Sequence, residues 1–375
     1  MFFLVLFFIK ILKNPKTILV IIQRSNGDVF LSSNLIQTLF NFYNEPQIDL
    51  LVNEDTLNIA KLIPNIRSIH EFSYSKKKQS RWTQEKNLIS NIFRKYDLSI
   101  NLTASDRSVL YSLLSGKVSI SAVEKKYLNS WWKKLFLNKF YYFDLNNHIL
   151  YNNSGPLRCL NIIHQNVQNP PLVSQTVVLK IKKILSSKGI HDFIIFHPSA
   201  QYKYKIYPKA LRKKLLMRLN SLGISIVVTG GSSEIDLEIK NEIYEAENIY
   251  NFIGKTSLEE LFALTKLSEA YIGMDTLNMH IAASFNKRIF AIFGPTNICM
   301  WSPWSNNLQR ATKENKPVQN YDNFTIFQSS HPCQVCGLIG CGSNHGLNEL
   351  PYSVKPDEVF IEVAKWYKSY NLSSQ

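Results

Sequence analysis

Cysteine, acidic residues and long apolar runs are all scarce in this chain of 375 residues. Five cysteines do not build a disulfide framework for a chain of this length, so we expect a reducing, cytoplasmic compartment. The first nine residues are apolar, but Lys10 ends that run too early for it to cross a bilayer. The run also lacks the basic start and the A-x-A end of a secretory signal. Residues 1–16 therefore form an apolar N-terminal extension, which rests on a membrane surface, packs on the protein or reflects a misassigned start codon.

Several motifs of common enzyme classes are also missing. No G-x-G-x-x-G follows a predicted strand, and H-E-x-x-H and G-x-S-x-G do not occur, so no dinucleotide, zinc-protease or hydrolase signature is present. The absence of D-x-D argues against an enzyme that holds a nucleotide sugar through a metal. Gly254-Lys255-Thr256 lacks the first glycine of a P-loop, and Ser257 with Glu260 instead predicts a capping box.

Basic residues are in excess. Lys and Arg number 43 and Asp and Glu 28, which gives a formal net charge of +15. Such an excess indicates anionic partners. Since no RNA- or DNA-binding signature accompanies the charge, we expect no nucleic-acid partner.

Apolar runs of strand length alternate with helix-like segments along most of the chain. Thr17–Gln23 is predicted to be a buried strand, and SSNLIQTLFNFY after it a helix. The alternation restarts after a polar segment that carries Pro170 and Pro171. The pattern predicts an α/β protein of two domains with mainly parallel sheets. The predicted division is an extension at 1–16, a first domain at 17–165, a linker at 166–176, a second domain at 177–350 and a C-terminal helix at 351–375.

Polar turns follow several predicted strands, and open α/β sheets bind ligands at the carboxyl ends of their strands. Asn26-Gly27 is predicted to make a tight turn that leaves Asp28 at the mouth of the first domain. A carboxylate there can act as a general base on a hydroxyl. The competing interpretation is an aspartate that stabilises the start of the next helix.

Two turns of the second domain have the composition of a ligand site. Ser199 allows close approach after a strand end, and Lys203 and Lys205 stand near the next helix start, where an anion is favoured. A solvated basic loop is the alternative. A glycine pair before Glu234 permits backbone approach, and this carboxylate could bind a ribose diol. A plain strand-to-helix turn explains the same residues.

The segment YIGMDTLNMHIAASF is typical of a strand end, a polar turn and a helix. Asp275, Thr276 and the amides of the following helix can bind phosphate oxygens. His280 lies about one turn into that helix, on the same side as Thr276. A lone buried histidine is more often structural, but this one stands beside an anion-binding helix start.

The segment CQVCGLIGCGSNH contains a candidate metal site. Cys333, Cys336, Cys341 and His345 have a spacing that can hold one tetrahedral zinc ion. Such a zinc would be structural and remote from the chemistry. Three unligated cysteines in a loop are the alternative.

Taken together, these features resemble the heptosyltransferases of glycosyltransferase family 9, over about residues 17 to 368. The family's R-x-x-x-G-D-V pattern resembles Arg24, Gly27, Asp28 and Val29, with one residue fewer before the glycine. Its K-x-W-P element resembles KIYP, and GGSSE, GKTSLEEL, D-[ST]-x-x-x-H and FGPT follow in the family's order. The resemblance implies a GT-B type fold, with two Rossmann-like domains facing each other across a cleft.

The resemblance also implies a reaction: inverting, metal-independent transfer of heptose from ADP-heptose to the lipopolysaccharide inner core, with no cofactor required. Asp28 would deprotonate the acceptor hydroxyl, and Lys205 would stabilise the departing diphosphate together with the helix amides. The implied donor-binding residues are Ser199, Glu234, Asp275, Thr276 and His280.

The implied acceptor is an anionic saccharide on a lipid anchor, which fits the surplus of basic residues. Arg67 and Arg107 are candidate acceptor-binding residues. A membrane surface is the implied third partner, and the expected location is the cytoplasmic face of the inner membrane.

Two departures from the family pattern leave alternatives open. Leu277 stands where the family usually has glycine, and Tyr207 where it has tryptophan. A related transferase with another donor or acceptor is therefore a second hypothesis. A third is an inactive, membrane-peripheral binding protein, which the joint presence of Asp28, Lys205 and His280 disfavours.

Overall fold

The computed structural model describes residues 14–75, 77–125, 130–294, 296–328 and 354–373. The chain divides into two compact units, Met1–Asn166 and Val167–Gln375. Each unit is an α/β arrangement built around one sheet.

The first unit alternates strands and helices. Its elements are β1 (Thr17–Ile22), α1 (Asn26–Phe30), α2 (Ser33–Phe42), β2 (Gln47–Asn53), α3 (Leu57–Ala60), β3 (Ser68–Phe72), α4 (Lys77–Ile92), β4 (Tyr96–Asn101), α5 (Asp106–Ser115), β5 (Gly116–Glu124), α6 (Trp131–Phe136), β6 (Lys139–Phe143), α7 (Ile149–Asn153) and α8 (Gly155–Cys159).

The first sheet is parallel throughout its described strands, in the order β3-β2-β1-β4-β5-β6. β1 lies at its centre, with Ile18 opposite Ile48 on β2 and Leu98 on β4. Its apolar side chains are buried on both faces, as expected for a central parallel strand. The strand order reverses between β1 and β4, and ligands of open α/β sheets bind at such a point.

The second unit repeats the alternation. Its elements are α9 (Gln175–Ser186), β7 (Phe193–His197), α10 (Lys209–Asn220), β8 (Ser225–Val228), α11 (Glu234–Glu242), β9 (Ile249–Asn251), α12 (Leu258–Leu267), β10 (Ala270–Met274), α13 (Leu277–Ser284), β11 (Arg288–Phe293), α14 (Ile298–Trp301), β12 (Val318–Tyr321), β13 (Phe324–Gln328) and α15 (Pro356–Ser373).

The second sheet has the order β12-β13-β11-β10-β7-β8-β9, and β12 alone among these strands is antiparallel. Its reversal point lies between β7 and β10. The C-terminal helix α15 packs on this unit, where Val359 and Val363 join the same buried core as Leu215 of α10. The Tyr207 side chain is buried there too, and its hydroxyl donates to the Val354 carbonyl over 2.6 Å.

One local prediction is wrong. Asn26 and Gly27 do not make a tight turn but open the short helix α1, because Ser25 and Asp28 form a capping box. The capping box predicted for Ser257 and Glu260 is confirmed at the start of α12.

Among the described residues, no helix has the length and apolar character that crossing a membrane requires.

Candidate active site

Asp28 is a buried carboxylate in the first turn of α1, just beyond the carboxyl end of β1. Its side chain is 5% exposed, and Oδ1 lies 2.8 Å from Nε of Arg24. The Ser25 hydroxyl donates to Oδ2 over 2.6 Å. The helix-start role of Asp28 is thus present in the structure. This role leaves acceptor capacity on the carboxylate, because its two oxygens offer about four lone-pair sites to donors such as a substrate hydroxyl.

One of the two arginines predicted to bind the acceptor lies at the same edge of the sheet as Asp28. Arg107 stands in the first turn of α5, where its guanidinium carbon is 3.9 Å from the ring centroid of Phe72. Arg67 precedes β3 at the opposite, amino edge of the sheet, and its Nε donates to Asp49 over 2.9 Å. The structure does not bring Arg67 together with Asp28.

Lys205 and Asp275 meet at the reversal point of the second sheet. Asp275 directly follows β10 and its side chain is 2% exposed. Lys205 ends a short 3-10 turn between β7 and α10, and its Nζ lies 3.3 Å from Oδ2 of Asp275. Oδ1 of Asp275 is buried and has no hydrogen-bond partner within the described part of the chain. The pair therefore retains polar capacity for a ligand.

The amino end of α13 lies directly beside this pair. Thr276 is the N-cap residue, but its hydroxyl makes no capping bond. The first amides of an α-helix have no partner within the helix, and they favour an anion. Leu277, at the first helical position, is half-buried. His280 is buried one turn further on, with its ring centroid 6.3 Å from that of Trp301.

Ser199 and Glu234 have different surroundings. The buried Ser199 hydroxyl donates to Asp236 over 2.5 Å, and Asp236 also caps α11 together with Ser233. Burial acts to raise the pKa of Asp236, but the hydrogen bonds from Ser199 and Ser233 outweigh it and leave that pKa below its usual value. Glu234 is exposed at the start of α11, where a ligand can reach it. Asp236 was not among the predicted site residues.

A buried histidine beneath α13 was also missed. The amide nitrogen of Asn278 lies 2.8 Å from Nε2 of His197, and Nδ1 of His197 lies 2.9 Å from the Thr229 hydroxyl. Burial lowers the pKa of His197 to about 4. Gly273 lets β10 approach β7 closely at this point, because a Cβ there would lie 2.4 Å from the His197 carbonyl oxygen. The available signal was a histidine at the end of a fully apolar strand.

Two further amide side chains lie near Asp28. Gln23 directly follows β1 and is 7% exposed, and Asn53 ends the adjacent strand β2 and is 8% exposed. Both polar atoms of the Gln23 side chain, and Oδ1 of Asn53, are buried without a hydrogen-bond partner among the described residues. Buried polar atoms without partners are uncommon and often mark a functional site. Their position at a strand end was the only sequence signal.

Some predictions fall outside the described residues. Cys333, Cys336, Cys341 and His345 of the suggested zinc site all lie there, as do residues 1–13 of the apolar extension. Within the described ranges, no group of His, Cys, Asp or Glu side chains has the arrangement of a metal site.

Comparison with known proteins finds relatives along most of the chain. Residues 88–330 match the family described as glycosyltransferase family 9 (heptosyltransferase). Lipopolysaccharide heptosyltransferase 3 of Escherichia coli is 28% identical over 306 residues, which cover 76% of this chain and 86% of that protein. Lipooligosaccharide heptosyltransferase 2 of Campylobacter jejuni is 24% identical over 345 residues, with coverage of 90% and 94%.

Solved structures confirm the predicted GT-B type fold. The E. coli ADP-heptose LPS heptosyltransferase II superposes with a TM-score of 0.70 at 18% identity, covering 95% of this chain and 99% of that one. The E. coli heptosyltransferase WaaC with ADP gives 0.68 at 13% identity, with coverage of 93% and 99%. The family match spans well over half of the residues of this chain. The chain therefore belongs to glycosyltransferase family 9 and is a glycosyltransferase.

Proposed function

We propose that the protein transfers a heptose from ADP-heptose to the inner core of a lipopolysaccharide or lipooligosaccharide. The relatives named lipopolysaccharide and lipooligosaccharide heptosyltransferases support this, as does a structural neighbour, WaaC, solved with ADP-2-deoxy-2-fluoro heptose. The observation in this chain that carries the proposal is the Lys205–Asp275 pair beside the amino end of α13. It unites a cation, a buried carboxylate and the amino end of a helix at a sheet reversal point.

The donor diphosphate would lie against the amino end of α13. Lys205, Thr276 and the first α13 amides would stabilise the charge that develops when the bond from the anomeric carbon to the phosphate oxygen breaks. His280, inside α13, would position the helix start. Asp275 and Ser199 would border the donor, and the exposed Glu234 would accept hydrogen bonds from the ribose diol.

Asp28 is proposed as the general base. It accepts the proton of the acceptor hydroxyl while that oxygen attacks the anomeric carbon. ADP departs with the electron pair of the broken bond from the opposite face, so the anomeric configuration inverts. Arg24, 2.8 Å from Asp28, balances the negative charge of the buried carboxylate and holds it in place. Proton NMR of the product, compared with the donor, tests the inversion.

No metal is needed to hold the diphosphate in this proposal, because Lys205 and the helix start supply positive charge. Transfer should therefore continue at an unchanged rate in excess EDTA. A loss of activity that added Mg²⁺ or Mn²⁺ restores would contradict this part of the proposal.

Arg107, at the carboxyl edge of the first sheet, is proposed to contact anionic groups of the acceptor. Gln23 and Asn53 are suited to its sugar hydroxyls, since each buried amide can both donate and accept. Arg67 is not included among the proposed acceptor-binding residues, because it pairs with Asp49 at the amino edge of the sheet. The site of action proposed for the enzyme is the cytoplasmic face of the inner membrane.

The direct test is incubation of the purified protein with ADP-heptose and heptose-deficient lipopolysaccharide, followed by mass spectrometry of the product. The proposal expects a gain of one heptose unit. If no nucleotide sugar yields a product, the inactive binding protein becomes the better account.

A second candidate is a related transferase with another sugar donor, and Leu277 favours it. Leu277 begins α13 where the family usually has glycine, so in this proposal its side chain would narrow the space beside the diphosphate. Competition among ADP-heptose, other ADP-sugars and UDP-sugars decides between the two. With ADP-heptose as the natural donor, Leu277→Gly should change the KM for ADP-heptose by no more than about tenfold, the low end for a small apolar contact in a pocket. Preference for another sugar, lost in Leu277→Gly, would support the second candidate.

A further inference from the structure

The first unit exposes an apolar helix surface. Trp131 of α6 is 66% exposed, Leu135 63% and Phe136 61%, and these three residues are called the α6 patch below. Trp131 and Leu135 are four residues apart and therefore lie on one side of the helix. Single exposed apolar side chains are ordinary, whereas three large ones on a single short helix indicate an interaction surface.

The helix that bears the α6 patch is firmly attached to the unit. Lys133, 2% exposed, donates from Nζ to the Ala104 carbonyl over 2.6 Å and lies 2.8 Å from Oδ1 of Asp106. Both partners belong to the segment between the end of β4 and the first turn of α5. Trp132 packs on a neighbouring core cluster. α6 is thus held at the carboxyl edge of the sheet, the edge at which Asp28 also lies.

The residues around the α6 patch have the chemistry of a lipid interface. Lys134, on the same helix, is exposed, and its Nζ lies 5.2 Å from the ring centroid of Tyr142, which is 45% exposed. Tryptophan, phenylalanine and leucine enter the boundary between headgroups and acyl chains, while lysine stays among anionic headgroups. The surplus of positive charge on the whole chain, +15, adds attraction to such a surface.

A second copy of the chain fits this surface poorly. The three side chains together expose on the order of 400 Å². A stable protein interface buries about 800 Å² on each partner. Shallow insertion into a bilayer has no such minimum, since each side chain inserts separately.

We propose that the α6 patch docks the first unit on an anionic lipid surface. The choice of lipid as partner rests on the proposed function, whose acceptor is lipid-anchored. Docking through α6 brings the carboxyl edge of the sheet toward the surface that carries this acceptor. The assignment is independent of residues 1–13, which remain in place throughout the test.

The test compares the full-length protein with a Trp131→Ser/Leu135→Ser/Phe136→Ser variant in vesicle flotation. Vesicles of phosphatidylethanolamine with phosphatidylglycerol are used, and vesicles of phosphatidylcholine alone measure the contribution of charge. Leu179→Ser/Met217→Ser serves as control, since both residues are exposed and apolar but lie in the second unit. Thermal unfolding shows that each variant is folded.

The patch variant should bind anionic vesicles at least about tenfold more weakly, as loss of three inserted side chains requires, and the control should bind as the wild type does. Equal binding by the patch variant would overturn the proposal. The proposal would also be overturned if sedimentation showed that the wild type and the control are dimers while the patch variant is a monomer. Flotation needs neither donor nor acceptor, so its outcome is separate from that of the transfer assay.

Discussion

At the scale of single residues, Lys205 and Lys203 offer a matched comparison within one short turn. Lys205 is 21% exposed beside Asp275, whereas Lys203 is 69% exposed and lies 3.5 Å from Glu238. Lys205→Met should lower kcat/KM by about 10² to 10³, the usual loss of one charge-stabilising group. Lys203→Met should change it by less than about threefold, since exposed ion pairs contribute little. Steady-state kinetics with varied donor checks both, and similar losses in the two variants would contradict the assignment.

For Gln23 we predict effects of substitution on both the unfolding temperature and acceptor binding. Within the described ranges neither polar atom of its buried amide has a hydrogen-bond partner, which costs about 1–3 kcal/mol. Gln23→Leu should therefore leave the unfolding temperature unchanged or raise it. Loss of the amide should raise the KM for the acceptor without changing that for the donor. A destabilised variant with an unchanged acceptor KM would show that the side chain is structural.

Sequence patterns placed some of the site residues at the correct sheet edge and failed for others. Lys205, Asp275 and Thr276 follow strand ends, so the fold alone places them at one edge, and the structure brings them together. Arg67 was chosen for its charge, and charge carries no information about which sheet edge a residue occupies. Asp236 was passed over because its partner Ser199 lies 37 residues away.

At the scale of elements, α13 is joined to β7 through a buried neutral histidine. Burial holds the pKa of His197 near 4 in the folded protein, whereas an unfolded histidine titrates near 6.5. Between these values the unfolded state binds a proton that the folded state excludes. Stability is therefore complete above about pH 6.5 and falls as the pH drops toward 4.

His197→Gln removes this proton-linked loss. Between pH 7 and pH 4.5 the wild type should lose about 2–3 kcal/mol more stability than the variant does. Thermal unfolding at both pH values measures the difference. His191→Gln is the control, since His191 is exposed just before β7. Parallel pH dependence of wild type and His197→Gln would show that His197 is not buried in the neutral form.

The alternation of strands and helices was predictable, but some element boundaries were not. Helix α5 ends at Ser115, and β5 begins at Gly116 with no loop between them. Gly116 permits this because a Cβ there would lie 2.8 Å from the Ser99 amide nitrogen. Such crowding depends on the neighbouring strand β4, which local periodicity does not describe. α1 was missed because only five residues carry its pattern.

At the scale of the whole molecule, the two units carry different parts of the proposed reaction. The first contributes Asp28, Arg107 and the α6 patch, which suit an anionic acceptor on a lipid surface. The second contributes the Lys205–Asp275 pair and α13, which suit a diphosphate. Two α/β sheets with reversal points explain why polar residues from distant parts of the chain collect at strand ends.

The most direct measurement of the central claim is heptose transfer by Asp28→Asn, with ADP-heptose binding followed in parallel by calorimetry. The substitution keeps the shape of the side chain but removes the base. The account predicts that transfer falls by about 10² to 10⁴ while the donor Kd stays within about twofold, and that the exposed control Asp192→Asn changes neither. Transfer by Asp28→Asn at the rate of the wild type would contradict the account.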